Sequence, residues 1–146
     1  MTLAMDSIIG YIEATSGMDL PEVVRDSIIV TDSLGYTDYD AGESLNLFFR
    51  LKHEKMAYPV LRFVDGPQKQ KPRVLSISDS YYWNILSAGY NSGVFENSSF
   101  WYYNNRVFPD WYSKPSYAKD LDIISSCEGY DFIFIMVTER FLHKYD

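Results

Sequence analysis

The chain has 146 residues, long enough for one domain with its own hydrophobic core, and its 13 basic and 20 acidic side chains give a net charge of −7. This negative charge argues against a nucleic-acid backbone or an anionic membrane surface as the main partner, and a hydrophobic content of 47% excludes wholesale disorder. The single cysteine, Cys127, excludes an internal disulfide, while an aromatic content of 17% suits a surface that binds amphipathic ligands such as sugars.

The sequence predicts no membrane span, because no run approaches the roughly 18–20 apolar residues that one requires. The amino terminus has no basic region and carries Asp6 and Glu13 within its apolar run, so it does not resemble a signal peptide. The chain as given is therefore expected in the cytoplasm. If an export signal has been removed from it, the expected location is the cell envelope.

The amino-terminal elements begin with a helix over residues 5–16. Its isoleucines recur at helical spacing, Asp6 is placed to cap its start, and Gly17 is placed to end it. The β-branched run Ser27–Val30 predicts a strand or a buried turn. A second helix is expected after Asp40, which forms a capping-box pattern with a glutamate three residues later.

A polar loop over residues 65–72, with two prolines and a glycine, follows an edge strand predicted over residues 58–64. This loop is interpreted as the joint between a helical amino-terminal portion, residues 1–64, and a carboxyl-terminal α/β portion, residues 73–146. The whole chain, residues 1–146, is predicted to form a single domain.

The carboxyl-terminal portion alternates short hydrophobic strands with amphipathic segments. Strands are predicted over residues 73–77, 100–103 and 131–137, and helices over residues 81–88 and 118–127. Strands with two hydrophobic faces, alternating with helices, indicate a parallel sheet covered on both sides. The predicted fold class is therefore α/β, a three-layer sandwich with a small, mainly parallel, flavodoxin-like sheet. That sheet has few strands for its class, so either a homo-oligomer or a missing carboxyl-terminal region is expected to complete it.

Polar side chains follow three of the predicted strands. Ser78, Asp79 and Ser80 follow the first, Asn104 and Asn105 the second, and Thr138, Glu139 and Arg140 the last. Ligands of parallel α/β sheets bind beyond the carboxyl ends of the strands, so these side chains are the candidate site.

Ser80 is the candidate nucleophile. A serine after a buried strand, at the first turn of a helix, exposes its hydroxyl beside unpaired backbone N–H groups that can stabilise an oxyanion. The alternative is structural, because serines and aspartates commonly cap helices and Asp79 or Ser80 has that role in this interpretation.

Residues 71–84, KPRVLSISDSYYWN, resemble block I of the SGNH/GDSL hydrolases, with Ser78 in place of the glycine and with Asp79 and Ser80 matching. Residues 130–142, YDFIFIMVTERFL, are similar to the strand and turn of the alginate O-acetyltransferase-like branch. Thr138 replaces the proline of that branch, while Glu139 and Arg140 match. The resemblance covers only the second half of the chain.

The resemblance implies an ester hydrolase or O-acetyltransferase that acts on an acylated carbohydrate, with Ser80 as the nucleophile. A serine nucleophile needs a general base, and the candidates are His143, His53 or a residue outside the chain. Asp38 and Asp40 stand where the acetyltransferase-like branch has Asp-x-His, and they are interpreted as a turn and a helix cap. The alternative function is a non-catalytic relative with an aromatic-rich surface that binds carbohydrate or protein.

Further site residues are proposed for the substrate. Arg140 would pair with Asp79 or a substrate carboxylate and Glu139 would orient a base or a sugar hydroxyl, although both also suit a plain helix start. The remaining candidates are the strand-end residues Trp101, Tyr103, Asn104 and Asn105 for substrate, and Gly89 as an oxyanion donor or a helix stop. No zinc-ligand spacing and no phosphate-binding loop occurs, so no metal or cofactor is expected.

Overall fold

The computed structural model describes residues 1–35, 38, 42, 44–49, 52–108, 116–139 and 142, and for Asn97 it describes the backbone only. The chain divides into two compact units, one of residues 1–23 and 63–146 and one of residues 24–62. The first unit contains a five-stranded sheet, and the second contains most of a two-stranded one.

The helices and strands follow one another in the order α1 (Thr2–Ser16), β1 (Glu22–Thr31), β2 (Met56–Val64), β3 (Arg73–Ser78), α2 (Tyr82–Ser87), α3 (Tyr90–Gly93), β4 (Glu96–Tyr102), β5 (Arg106–Phe108), β6 (Ser116–Tyr117), α4 (Ile123–Glu128) and β7 (Phe132–Met136). A 3₁₀ turn over Ala118–Asp120 follows β6 directly.

The five-stranded sheet is mixed, with the strand order β6-β5-β4-β3-β7. Both neighbours of β3 run parallel to it, whereas β5 runs antiparallel to β4 and β6 antiparallel to β5. The prediction of a mainly parallel three-layer sandwich behind a helical amino-terminal half is therefore wrong. Residues 1–64 contain α1 and two long antiparallel strands, because the β-branched stretch of β1 pairs with the aromatic and aliphatic residues of β2.

The antiparallel strand β5 follows β4 through a tight turn. Tyr103 and Asn104 both adopt a left-handed backbone, with φ of 52° and 50°, and the Asn105 N–H donates to the Tyr102 carbonyl at 3.0 Å. Two consecutive left-handed residues form the type I′ turn, whose twist matches that of a hairpin. This turn reverses the chain where the prediction had expected a parallel crossover.

Both faces of the sheet pack against following segments. On one face, Leu75 and Trp101 form a buried cluster with Ala118, and Leu121 and Cys127 pack against it. On the other face, Phe100 contacts the rings of Tyr82 and Trp83 in α2, with centroid separations of 4.7 and 5.2 Å. The strand β3 is central to both clusters, because its alternate side chains enter opposite faces.

The last strand differs from its prediction in burial. A strand buried on both faces was expected over residues 131–137, but β7 lies at the edge of the sheet, and Ile133 and Ile135 are 46% and 66% exposed. The first helix also differs at its start, since it begins at Thr2 and Asp6 lies inside it. Its predicted end is confirmed, because Gly17 has a φ of 73° and its N–H donates to Glu13 O.

The unit of residues 24–62 contains a cross-strand ion pair, in which Arg62 contacts Asp26 at 2.9 Å. The helix predicted after Asp40 falls largely outside the described residues, and Leu45–Phe49 form turns and bends there. His53 belongs to this unit, where its Nδ1 lies 3.1 Å from the carbonyl oxygen of Glu54.

Candidate functional site

The carboxyl end of β3 is a topological switch point. From β3 the chain passes through α2 and α3 to β4 on one side, and it later reaches β7 on the other side through α4. The crevice between two such diverging connections is the usual ligand position in α/β sheets. Ser78, Asp79 and Ser80 stand at this point.

The Asp79 carboxylate joins β3 to β7. It is 1% exposed, and its two oxygens accept hydrogen bonds from the Tyr81 N–H at 3.0 Å and from the Thr138 N–H at 2.8 Å. Beside it, the buried Ser78 hydroxyl donates to the carbonyl oxygen of Met136. Since both carboxylate oxygens are bound to backbone donors, Asp79 shapes the turn that follows β3 and is not placed to act as a base.

Ser80 occupies the turn that Asp79 shapes. Its side chain is half-buried, and its carbonyl oxygen accepts from the Trp83 N–H at 3.2 Å. Among the described residues, neither the Ser80 hydroxyl nor its backbone N–H takes part in a hydrogen bond. A serine hydroxyl and an adjacent backbone donor are therefore both available to a ligand at the switch point.

The end of β4 forms the second wall of the site. The Tyr103 N–H donates to Ser78 O at 2.8 Å, which places the β4–β5 turn beside the end of β3. The rings of Tyr102 and Tyr103 lie 4.5 Å apart. Burial raises the pKa of the Tyr102 hydroxyl, and the neighbouring Tyr103 and the negative charge of Asp79 raise it further, so it stays protonated at neutral pH.

The end of β7 forms the third wall. Thr138 is half-buried, and its hydroxyl has no hydrogen-bond partner within the described part of the chain. Glu139 follows it and is exposed. The structure thus brings Asp79, Ser80 and the Thr138–Glu139 turn to one edge of the sheet, whereas Arg140 and His143 lie outside the described residues.

Other predicted site residues have structural positions. Trp101 is 3% exposed in the core cluster, since strand alternation directs it away from the face of Tyr102. The N–H of Gly89 donates to Leu86 O at 2.9 Å, and its φ of 85° lies between two helices, so it ends a helix and does not supply an oxyanion donor.

The two asparagines lie in and beside the turn between β4 and β5. Asn104 is exposed with a left-handed backbone, which asparagine tolerates better than most residues. Asn105 is exposed, and its carbonyl oxygen accepts from the Ala118 N–H at 2.6 Å. Sequence reasoning missed Tyr102 and the left-handed Tyr103 backbone, although consecutive asparagines after a strand are a signal for such a turn.

Within the described residues, no three histidine, cysteine, aspartate or glutamate side chains gather as metal ligands. The helices of that part of the chain are too short or too polar to cross a bilayer. No family model, no curated protein and no solved structure matches this chain.

Proposed function

We propose that the chain is a serine-dependent ester hydrolase or O-acetyltransferase acting on an acylated carbohydrate, with Ser80 as its nucleophile. The observation that carries this proposal is the position of Ser80. It is a half-buried hydroxyl without a hydrogen bond among the described residues, at the switch point of the sheet and directly after a buried strand. The resemblance of residues 71–84 and 130–142 to SGNH hydrolases assigns the same serine.

The chemistry requires two acyl-transfer steps. The Ser80 oxygen forms a bond to the acyl carbonyl carbon, its proton passes to a base, and the sugar oxygen leaves with a proton. Water then breaks the acyl-serine bond in a hydrolase, and a second hydroxyl does so in a transferase. His143 is the proposed base, and the backbone N–H of Ser80 with the amide of Asn104 or Asn105 would bind the oxyanion.

Asp79 has a positioning role in this proposal. Its contacts to Tyr81 and Thr138 hold the serine turn against the end of β7, so the Ser80 oxygen keeps one direction relative to the oxyanion donors. Glu139, exposed after Thr138, would contact a sugar hydroxyl or orient the base.

A second function, carbohydrate binding without catalysis, is favoured by the adjacent rings of Tyr102 and Tyr103 at the same edge. Aromatic rings with polar tips suit the apolar faces of sugars. In this alternative Ser80 is a hydrogen-bonding group for a sugar hydroxyl.

The test is the hydrolysis of p-nitrophenyl acetate by the native chain, by Ser80→Ala and by the control Ser92→Ala, an exposed serine in α3. Loss of the nucleophile is expected to lower kcat/KM at least about a hundredfold, whereas the control retains the native value. A fluorophosphonate probe should modify the peptide that contains Ser80. Equal rates for native and Ser80→Ala would refute the nucleophile.

The binding alternative has its own readout. Trp83 lies 5.9 Å from Tyr102, ring centre to ring centre, so its fluorescence should respond to a sugar at this edge. A saturable response to neutral or acidic oligosaccharides, together with unaltered ester turnover in Ser80→Ala, favours the binding function.

A further inference from the structure

An apolar cavity lies beside the edge strand β7. It has a volume of about 290 Å³ and is lined by Met5 and Ile8 of α1, Tyr82 and Ile85 of α2, Phe95, and residues 133–136 of β7. This cavity is open to solvent along β7, where Ile133 and Ile135 are exposed. An engineered enclosed cavity of about half this volume, lined by similar side chains, binds benzene. The cavity beside β7 therefore has room for a guest of roughly six to ten carbon atoms.

The chemistry of the lining selects an uncharged, apolar guest. The one polar side-chain group among the lining residues is the Tyr82 hydroxyl, and it already donates to Asn91 Oδ1 at 2.9 Å. Burial raises the pKa of this hydroxyl, so it is protonated at neutral pH. A charged or strongly hydrated ligand would lose its water in this cavity without gaining partners.

The cavity adjoins the candidate site. Met136, part of its lining, pairs in register with Ser78, and its carbonyl oxygen accepts the Ser78 hydroxyl. Tyr82, on another wall, comes two residues after Ser80. The cavity thus reaches the carboxyl end of β7 at Met136, the residue paired with the last residue of β3, and Ser80 follows β3 two residues later.

We infer that this cavity binds the hydrocarbon chain of the acyl group that is transferred, so that the preferred substrates are medium-chain esters and not acetyl esters alone. This inference rests on the proposed function, because it requires acyl transfer at Ser80. Each additional methylene buried in an apolar site strengthens binding about fourfold. The preference is expected to rise with chain length until the cavity is full.

The experiment measures kcat/KM for p-nitrophenyl acetate and p-nitrophenyl octanoate with the native chain, Ile8→Phe and Leu3→Phe. Ile8 is half-buried and lines the cavity, whereas Leu3 is 74% exposed on the same helix and is the matched control. The longer, planar ring of Ile8→Phe projects into the cavity and narrows it. The ratio of octanoate to acetate turnover is expected to fall at least about tenfold in Ile8→Phe and to keep its native value in Leu3→Phe.

A second measurement keeps the two proposals separable. Binding of 1-aminonaphthalene, an uncharged probe with ten carbon atoms, and its displacement by 1-octanol, is followed by fluorescence in the native chain and both variants. Binding that Ile8→Phe weakens and Leu3→Phe retains supports the acyl cavity when Ser80→Ala loses ester turnover. If Ser80→Ala keeps that turnover, the proposed function and the acyl role of the cavity are both refuted, and the same binding result shows only that the cavity takes an apolar ligand. The inference would be overturned if the native chain showed no octanoate preference, if Ile8→Phe kept that preference, or if the native chain and Ile8→Phe bound the probe equally. None of these results would change the conclusion about Ser80.

Discussion

Removal of the Asp79 carboxylate is the most direct test of how the end of β3 is built. In Asp79→Ala, the N–H groups of Tyr81 and Thr138 lose acceptors that now lie 3.0 and 2.8 Å away. A buried donor left without a partner costs about 1–3 kcal/mol. Because the two bonds are only partly buried, we expect Asp79→Ala to lower the free energy of unfolding by about 2–4 kcal/mol, a large share of a domain's total stability.

The assay is urea unfolding followed by tryptophan fluorescence, with Asp122→Ala as the control. Asp122 also accepts two hydrogen bonds, from the Ile124 N–H and the Ser125 hydroxyl, but it caps an exposed helix. Loss of such a cap costs about 1 kcal/mol. A loss in Asp79→Ala no greater than that in Asp122→Ala would show that burial of the carboxylate does not stabilise the turn.

Two further predictions concern stability. Gly10→Ala should raise the free energy of unfolding in urea, because Gly10 lies inside α1 with open space around it. Gly93→Ala should lower that free energy by about 1–3 kcal/mol, since its methyl group meets the Phe63 ring, and equal effects of the two changes would contradict this. The Arg73 guanidinium, hydrogen-bonded to Asp131, lowers the pKa of that carboxyl, so the pair stabilises the fold above pH about 4, and this contribution is lost as the pH falls through the lowered pKa. The small stability difference between native chain and Asp131→Asn should therefore shrink between pH 6 and pH 3, and a constant difference would refute the pairing.

Much of the local structure could be predicted from the sequence. The hydrophobic run before Ser78 predicted β3, and the apolar run after Tyr130 predicted β7, because short runs of β-branched and aromatic residues favour strands. Gly17 predicted the end of α1, since glycine adopts the left-handed backbone at little cost. The polar groups after these strands also identified the edge at which the candidate site lies.

The sequence-based predictions were ambiguous or wrong where a local sequence pattern is compatible with more than one tertiary structure. The β-branched stretch over residues 27–30 was predicted as a strand or a buried turn; the strand is confirmed, and it is exposed. Asp6 has the chemistry of a helix cap, yet it lies inside α1, which begins at Thr2. Trp101 looked like a ligand-binding residue, but alternation along β4 directs it into the core.

The segments that form β3, β4 and β7, and the polar residues that follow them, could be located from local sequence, because hydrophobic periodicity and turn chemistry act over a few residues. The antiparallel direction of β5, the edge position of β7 and the hydrogen bond from the Thr138 N–H to Asp79 across the sheet depend on how the strands assemble. Strand order and long-range hydrogen bonds join residues far apart in the chain, so no local pattern encodes them. The same holds for the cavity between α1 and β7, whose walls meet only when the whole unit is folded.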